Sequence, residues 1–196
     1  YQIGYDLNVE TGKGERFQDD NNAAIVMTDI AAFVSFTYKP SKKLSIQPAV
    51  RYGFNSKFTT TPTVSASVKY DISKKVIYRL SYGMGYRAPS LKEMYLNFQN
   101  INHNIQGNED LKAELANSIS LNWLARWQNI NIQNTLYAQQ IDNSIVAIFN
   151  SSGIGSYTNV ASSTLFGLST QLDITVTPNF KLIATIDLID SNTQSD

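Results

Sequence analysis

The chain contains no cysteine and a single histidine. Without cysteine, neither a disulfide bond nor a thiolate metal site can form, although this absence is compatible with many cellular compartments. A surplus of positive charge is missing as well, because sixteen basic residues are balanced by sixteen acidic ones. Proteins that bind nucleic acids usually carry a basic excess, so the composition argues against that class.

Long hydrophobic runs are also missing, although apolar residues make up 42% of the chain. No segment approaches the ~18 consecutive apolar residues that a membrane-spanning helix requires. What the chain has instead is 11 Tyr, 9 Phe and 2 Trp residues, scattered among many Ser, Thr and Asn residues. Aromatic residues favour strands, so this composition predicts an all-β protein.

Apolar and polar residues alternate along most of the chain. In the clearest segment, 76–87, every second residue from Val76 to Tyr86 is apolar or aromatic. Successive side chains of a strand point to opposite faces, so each such segment has one apolar and one polar face. The alternation predicts antiparallel strands at 3–9, 30–38, 44–54, 64–72, 76–87, 115–127, 130–140, 166–176 and 180–188.

The connections between these strands alternate in length. The short ones fall at 40–43, 73–75, 127–129 and 177–179, and the long ones at 10–28, 55–62, 87–113 and 141–157. Short turns on one rim and long loops on the other are typical of outer-membrane barrels, as are strands of ~9–11 residues. The lysine pairs at 42–43 and 74–75 fall in short turns, where we expect headgroups or solvent around them.

We therefore predict an antiparallel up-and-down transmembrane β-barrel, of which this chain supplies about nine strands. The apolar faces would contact lipid, and aromatic residues near strand ends, such as Tyr38, Tyr70, Tyr86, Trp123 and Trp127, would form interfacial girdles. The polar faces would line the interior with Arg51, Lys69, Arg79, Asp173 and Lys181. The alternative is a soluble β-sandwich or small β-barrel that buries its apolar faces, which alternation alone does not exclude. Such a domain would serve binding or adhesion, without transport.

Residues 83–114 read GMGYRAPSLKEMYLNFQNINHNIQGNEDLKAE. This stretch resembles a signature of TonB-dependent outer-membrane receptors, in which G-[FY]-[RK]-A-P is followed by S-L-x-E-[LM]-[YF] and then by G-N-x-x-L-K-x-E. The matching residues are Gly85, Tyr86, Arg87, Ala88, Pro89, Ser90, Leu91, Glu93, Met94, Tyr95, Gly107, Asn108, Leu111, Lys112 and Glu114. A weaker match is YTNV at 157–160 followed by FGL at 166–168, where Ser169 replaces the usual acid.

The residues of this stretch also have a local interpretation. Pro89 removes a hydrogen-bond donor and favours an extended conformation for the preceding residue, so it ends the strand. Ser90 is placed to cap a short helix, with Glu93 completing a capping box, and Gly107 followed by Asn108 indicates a turn. We therefore expect these residues to fold an external loop rather than to contact a ligand.

The resemblance implies a function. It implies a receptor in the bacterial outer membrane that imports an iron chelate (siderophore), haem or a cobalamin-like nutrient with energy from the TonB complex. Its partners would be this ligand, outer-membrane lipid and TonB, the last contacted through parts outside this chain. Such receptors have about 22 strands and a plug in the lumen. We therefore expect residues 1–196 to be a partial barrel domain that lacks the plug and the remaining strands.

Aromatic and amide side chains in the segment 95–106 are the expected ligand contacts, because they suit a bulky, polar and planar molecule. These residues are Tyr95, Phe98, Gln99, Asn102 and His103, with Tyr157 as a further candidate. A lone loop histidine is more often solvated than bound to haem iron, and the acidic pair at 19–20 lacks the spacing of a calcium loop. No catalytic arrangement or cofactor motif is present, so neither an enzyme nor a cofactor or metal site is expected.

Overall fold

The computed structural model of the chain describes residues 1–14, 16–17, 24–99, 104–151 and 153–194, without the side chain of Gln99. The elements in chain order are β1 (Gln2–Gly12), β2 (Ile25–Ser35), β3 (Leu44–Asn55), β4 (Thr63–Asp71), β5 (Val76–Arg87), α1 (Leu91–Tyr95), β6 (Asn97–Gln99), β7 (Asn104–Gln106), β8 (Glu114–Trp127), β9 (Ile130–Phe149), β10 (Gly155–Thr177) and β11 (Phe180–Gln194). The one described helix is too short to cross a membrane.

The nine long strands form one up-and-down sheet in which each strand pairs antiparallel with the next. They correspond one to one to the strands that alternation predicts. The short strands β6 and β7 form a hairpin, and β7 pairs in parallel with the start of β10 at Gly155 and Ser156. Within the described residues β1 and β11 are the two free edges, so the sheet is an unclosed part of a barrel.

The register collects the apolar residues on one face. Leu80, for example, lies between Val68 of β4 and Leu121 of β8. Within the described residues this face is not packed against a second layer, since Tyr52 and Phe54 are each 62% exposed and Leu80 is 48% exposed. A soluble sandwich would bury such residues, so that alternative is wrong, and lipid is the solvent that this face suits.

The apolar face ends at a defined height on the long-loop side. On β8 it reads Ile119, Leu121, Trp123, Ala125 and Trp127. Beyond Ile119 the same face turns polar at one level across three strands, where Asn117 pairs with Gln140 and Gln140 with Thr164. This level marks the upper boundary of the lipid-facing band.

Of the five predicted girdle residues, three are exposed, Trp123 is partly buried and Tyr86 has a buried hydroxyl. Tyr38, Tyr70 and Trp127 are 58%, 45% and 51% exposed on the outer perimeter. The hydroxyl of Tyr86 is instead buried, without a hydrogen-bond partner among the described residues. Tyr86 therefore does not present its polar end to an interface.

Two of the predicted long loops are wrong in extent. The segment 141–157 is mostly strand, because β9 and β10 pair from Ile130 to Phe149 and leave only 150–154 as a turn. Apolar residues near the tip lie on both faces, which hides the period-two pattern that pairing nevertheless imposes. The loop predicted at 10–28 is likewise shortened, because β1 extends to Gly12 and β2 already starts at Ile25.

Candidate functional site

The motif segment forms a folded loop over the polar, luminal face of the sheet. Its helix α1 starts at a complete capping box, since Ser90 Oγ accepts from Glu93 N at 3.3 Å and Glu93 Oε2 accepts from Ser90 N at 2.8 Å. Glu10 of β1 also accepts a hydrogen bond from Leu91 N at 3.2 Å. Pro89 and Leu91 are fully buried, so their side chains pack inside the protein and are not exposed to a ligand.

A small hydrophobic cluster attaches the loop to the wall. Its buried members come from β2, α1 and the segment before β8, and they are Ile25, Met27, Leu91, Met94 and Leu111. Partly buried residues surround them, namely Phe17, Phe58, Tyr95, Ile145 and Tyr157. These residues come from β2 and from β9 and β10, which lie far apart in the strand order. The loop therefore spans the interior from β2 to the β9–β10 hairpin.

A charged group holds the two ends of the loop together. Arg87 donates to Glu93 at 2.9 Å and to Glu114 at 2.5 Å, and Ile145 N donates to the other oxygen of Glu114 at 2.6 Å. These groups lie on the loop side of the lipid-facing band, because Arg87 pairs with Glu114 beyond the level of Asn117.

The charges of this group depend on one another. Burial raises the pKa of Glu114, but the hydrogen bonds from Arg87 and from Ile145 N–H lower it further, so its pKa lies below the ordinary value. The hydrogen bond to Glu114 raises the pKa of Arg87 against the opposing effect of burial, and Glu93 adds to the increase. Both residues therefore remain charged at neutral pH.

The second motif block forms the return of the loop. A Cβ on Gly107 would lie 2.4 Å from the backbone oxygen of Met94, so only glycine fits there. Asn108 donates from its backbone to Glu93 O and from its side chain to Tyr157 O, each at 2.9 Å. The block thus ties α1 to β10.

Sequence reasoning missed the importance of Asn159. Its side chain accepts from Lys112 N at 2.8 Å and donates to Lys112 O at 3.0 Å and to Asn143 O at 2.6 Å. The only signal was the weaker motif match at 157–160. Asn159 completes the bracing of the loop by β9 and β10.

Two of the expected ligand residues form cation–π contacts with basic side chains. Lys57 Nζ lies 5.2 Å from the centre of the Tyr95 ring and donates to its hydroxyl at 3.3 Å. The guanidinium of Arg16 lies 4.2 Å from the centre of the Phe98 ring. Tyr95 is the last residue of α1 and Phe98 lies in β6, so the loop presents two cation–aromatic pairs.

The other expected ligand residues are less informative. Gln99 ends β6, and its side chain is not described. Asn102 and His103 lie outside the described residues. Tyr157 packs against the hydrophobic cluster and offers its backbone oxygen to Asn108. Ligand contact by these residues stays a prediction.

Two cavities adjoin the loop. One, of about 310 Å³, is lined by Met94, Tyr95, Asn97, Gln106, Gly107, Asn108 and Glu109. The other, of about 580 Å³, lies against the luminal wall, and its lining includes the polar residues Asn8, Glu10, Asp29, Arg51, Arg87 and Ser90.

One unpaired acceptor belongs to a residue that lines the smaller cavity, Asn97. The side-chain oxygens of Asn97 and Asn104 are buried and have no hydrogen-bond partner among the described residues. Buried acceptors are usually hydrogen-bonded, so these two oxygens can accept from a donor outside the described residues. Within the described ranges, no group of three His, Cys, Asp or Glu residues is placed to hold a metal ion.

Comparison with known proteins identifies the family to which this architecture belongs. The family model described as TonB dependent receptor-like, beta-barrel, matches residues 2–196. The chain belongs to the TonB-dependent receptor β-barrel family. This is a family of receptors and transporters rather than enzymes. A comparison with curated protein sequences gives no match.

Solved structures share the fold of this receptor barrel at low sequence identity. The siderophore receptor PirA from Pseudomonas aeruginosa superposes with a TM-score of 0.82 at 17% identity, covering 96% of this chain and 36% of PirA. A mutant of the ferric enterobactin receptor PfeA from Pseudomonas aeruginosa gives 0.74 at 13% identity, covering 95% and 32%. The copper transporter OprC gives 0.76 at 12% identity, covering 97% and 35%. The chain thus spans about a third of the solved proteins that it matches.

Proposed function

We propose that this chain forms part of the wall and outer mouth of an outer-membrane receptor that imports an anionic iron chelate with energy from the TonB complex. The observation that carries this proposal is the braced loop on the luminal side, which presents two cation–aromatic pairs, one of them at Tyr95 in the lining of a cavity. The loop is fixed to β1, β2 and β10, so these pairs are preorganised.

The chemistry of the pairs favours a flat or aromatic anion. Arg16 and Lys57 supply positive charge, while Phe98 and Tyr95 supply apolar faces. The buried acceptor oxygens of Asn97 and Asn104 suit ligand N–H or O–H groups. A siderophore that wraps its metal in oxygen ligands has all three kinds of group.

The relatives agree with this ligand class without deciding it. PirA and PfeA are named as siderophore and ferric enterobactin receptors, whereas OprC is named as a copper transporter. Haem and cobalamin-like compounds are the other ligands that the family resemblance leaves open. We expect the TonB complex to contact other parts of the receptor than this wall.

The test uses the full-length receptor in cells that lack their other iron-chelate receptors. Replacing both aromatic residues, Tyr95→Ala with Phe98→Ala, should weaken binding of the radioiron-loaded siderophore at least about tenfold, because two aromatic contacts are lost. Assembly in the outer membrane should be unchanged, as measured by receptor amount in isolated membranes.

The matched control replaces two aromatic residues of the lipid-facing side, Tyr52→Ala with Phe54→Ala, and should leave binding unchanged. Uptake should also disappear in cells without TonB. Unchanged uptake by the Tyr95 and Phe98 variant would contradict the proposed contacts. Preferential competition by haem or cobalamin would assign the site to that ligand instead.

A further inference from the structure

The rim of short turns carries an unbalanced positive charge between β2 and β5. The turns at 36–43 and 72–75 contain five lysines and no acidic residue, and all five lysines are exposed. They are Lys39, Lys42, Lys43, Lys74 and Lys75. We call this group the lysine rim.

The two turns are neighbours in space. Asp71 N donates to Lys43 O at 2.8 Å, and Lys43 Nζ lies 3.5 Å from Ile72 O. Arg126 N donates to Lys75 O at 2.8 Å, which brings the end of β8 beside the second turn. The lysines therefore act as one patch rather than as separate charges.

No carboxylate in the described ranges forms an ion pair with a lysine of this patch. The nearest acid along the chain, Asp71, forms an ion pair with Lys69 at 2.9 Å. The five ion pairs found within the described residues do not include any member of the lysine rim. The opposite rim differs, because Arg87 is paired there with two glutamates.

The lysine rim borders directly on the lipid-facing band. Phe36, Tyr38 and Ile72 are 53%, 58% and 47% exposed, and they flank the lysines in the same two turns. Amphipathic aromatic residues occupy the depth of lipid headgroups, and lysine stems reach from that depth toward phosphate. This continuity favours a lipid over an acidic protein as the partner of the patch.

We propose that the lysine rim binds the phosphate groups of anionic phospholipids in the leaflet that faces the short turns. In outer-membrane barrels this is the periplasmic leaflet. The inference rests on the proposed membrane location but not on the imported ligand. Failure of the uptake experiment would therefore leave it untouched, and failure of the lipid experiment would leave the uptake proposal untouched.

The test is native mass spectrometry of the full-length receptor in detergent with phosphatidylglycerol or phosphatidylethanolamine. The receptor should retain phosphatidylglycerol preferentially. The triple variant Lys42→Gln, Lys43→Gln and Lys74→Gln should lower this retention at least about tenfold, since each lysine near an anionic surface contributes several-fold. Arginine at the same three positions should preserve it, because charge is kept.

The matched control removes three exposed lysines of the long-loop side, Lys13→Gln, Lys92→Gln and Lys112→Gln, and should retain phosphatidylglycerol normally. Equal retention of the two phospholipids, or equal loss in the control variant, would overturn the proposal. It would also be overturned if the rim variant kept its lipid but lost binding to the purified periplasmic domain of TonB. That result would assign the patch to a protein partner.

Discussion

At the scale of single residues, the loop depends on polar groups that satisfy the backbone of distant segments. The Asn159 side chain donates hydrogen bonds to the backbone oxygens of Lys112, which is 47 positions away, and of Asn143, which is 16 positions away. Such partners are invisible to local spacing, which is why sequence reasoning found Ser90 and Glu93 but not Asn159. Local motifs predict local caps, whereas long-range hydrogen bonds require the register of the sheet.

Gly107 gives the sharpest prediction at this scale. In Gly107→Ala the new methyl group would overlap backbone atoms of Met94 and Tyr95, which cannot move without unfolding the turn of α1. We expect faster protease cleavage of the segment 88–113 in outer-membrane vesicles. Gly83→Ala is the control, because its nearest neighbour would lie 3.7 Å away at ordinary contact distance. Equal cleavage of the two variants would show that the close approach at Gly107 is unimportant.

Glu114 predicts a pH dependence. Its pKa is lowered in the folded state, so the charged carboxylate stabilises the folded loop. This stabilisation is complete above the pKa of a glutamate in the unfolded chain, about 4.3. That contribution is lost as the pH falls through the lower folded value. The protection factors for hydrogen exchange in the segment 107–114, taken relative to the intrinsic exchange rate at each pH, should therefore fall on acidification below about pH 4.

The variant Glu114→Gln separates this carboxyl from others. It should exchange faster than the unsubstituted receptor at neutral pH and show a flatter acid dependence, because the ion pair with Arg87 is gone. Glu109→Gln, in an exposed turn, is the control. An unchanged acid dependence in Glu114→Gln would assign the effect to another group.

At the scale of elements, the strands were predictable because each one separates two solvents. One face meets lipid and the other meets a polar interior, so the alternation recurs in nine strands, most clearly at 76–87 and more weakly at 130–140. The prediction failed where this separation ends. Above the level of Asn117 the β9–β10 hairpin leaves the band, and near its tip apolar residues such as Ile145 and Ile148 occupy both faces.

The short elements of the loop were only partly predictable. The capping box marks α1, whereas β6 and β7 have three residues each, too few for a period to be recognised. The position of the loop over the lumen follows from packing of Leu91 and Met94 on Met27, which no local pattern encodes. The candidate site was therefore predictable as a segment but not as an arrangement.

The projecting β9–β10 hairpin predicts which rim of the barrel faces the cell exterior. An epitope inserted into its turn at 150–154 should be labelled by antibody on intact cells, because this turn lies on the long-loop side. The same epitope inserted between Pro178 and Asn179, in the short turn before β11, should be labelled only after the outer membrane is permeabilised. The reverse pattern would show that the assignment of the two rims is wrong.

At the scale of the whole molecule, a receptor barrel requires that the exposed apolar face meets lipid and the opposite face meets the lumen. The absence of cysteine from this segment makes that requirement directly measurable by single-cysteine spin labelling. Labels are placed one at a time at 78, 79, 80, 81 and 82 of β5, in a cysteine-free receptor reconstituted in bilayers. Oxygen concentrates in lipid and a water-soluble nickel complex in water, so collision rates with each reagent identify the surroundings.

We predict that labels at 78, 80 and 82 collide preferentially with oxygen and labels at 79 and 81 with the nickel complex, with a period of two. Leu80 and Arg79 are the decisive pair, because they are adjacent in the chain and lie on opposite faces. If the label at 80 is shielded from both reagents, or if the label at 79 follows oxygen, the apolar face is not turned to lipid and the receptor account is contradicted.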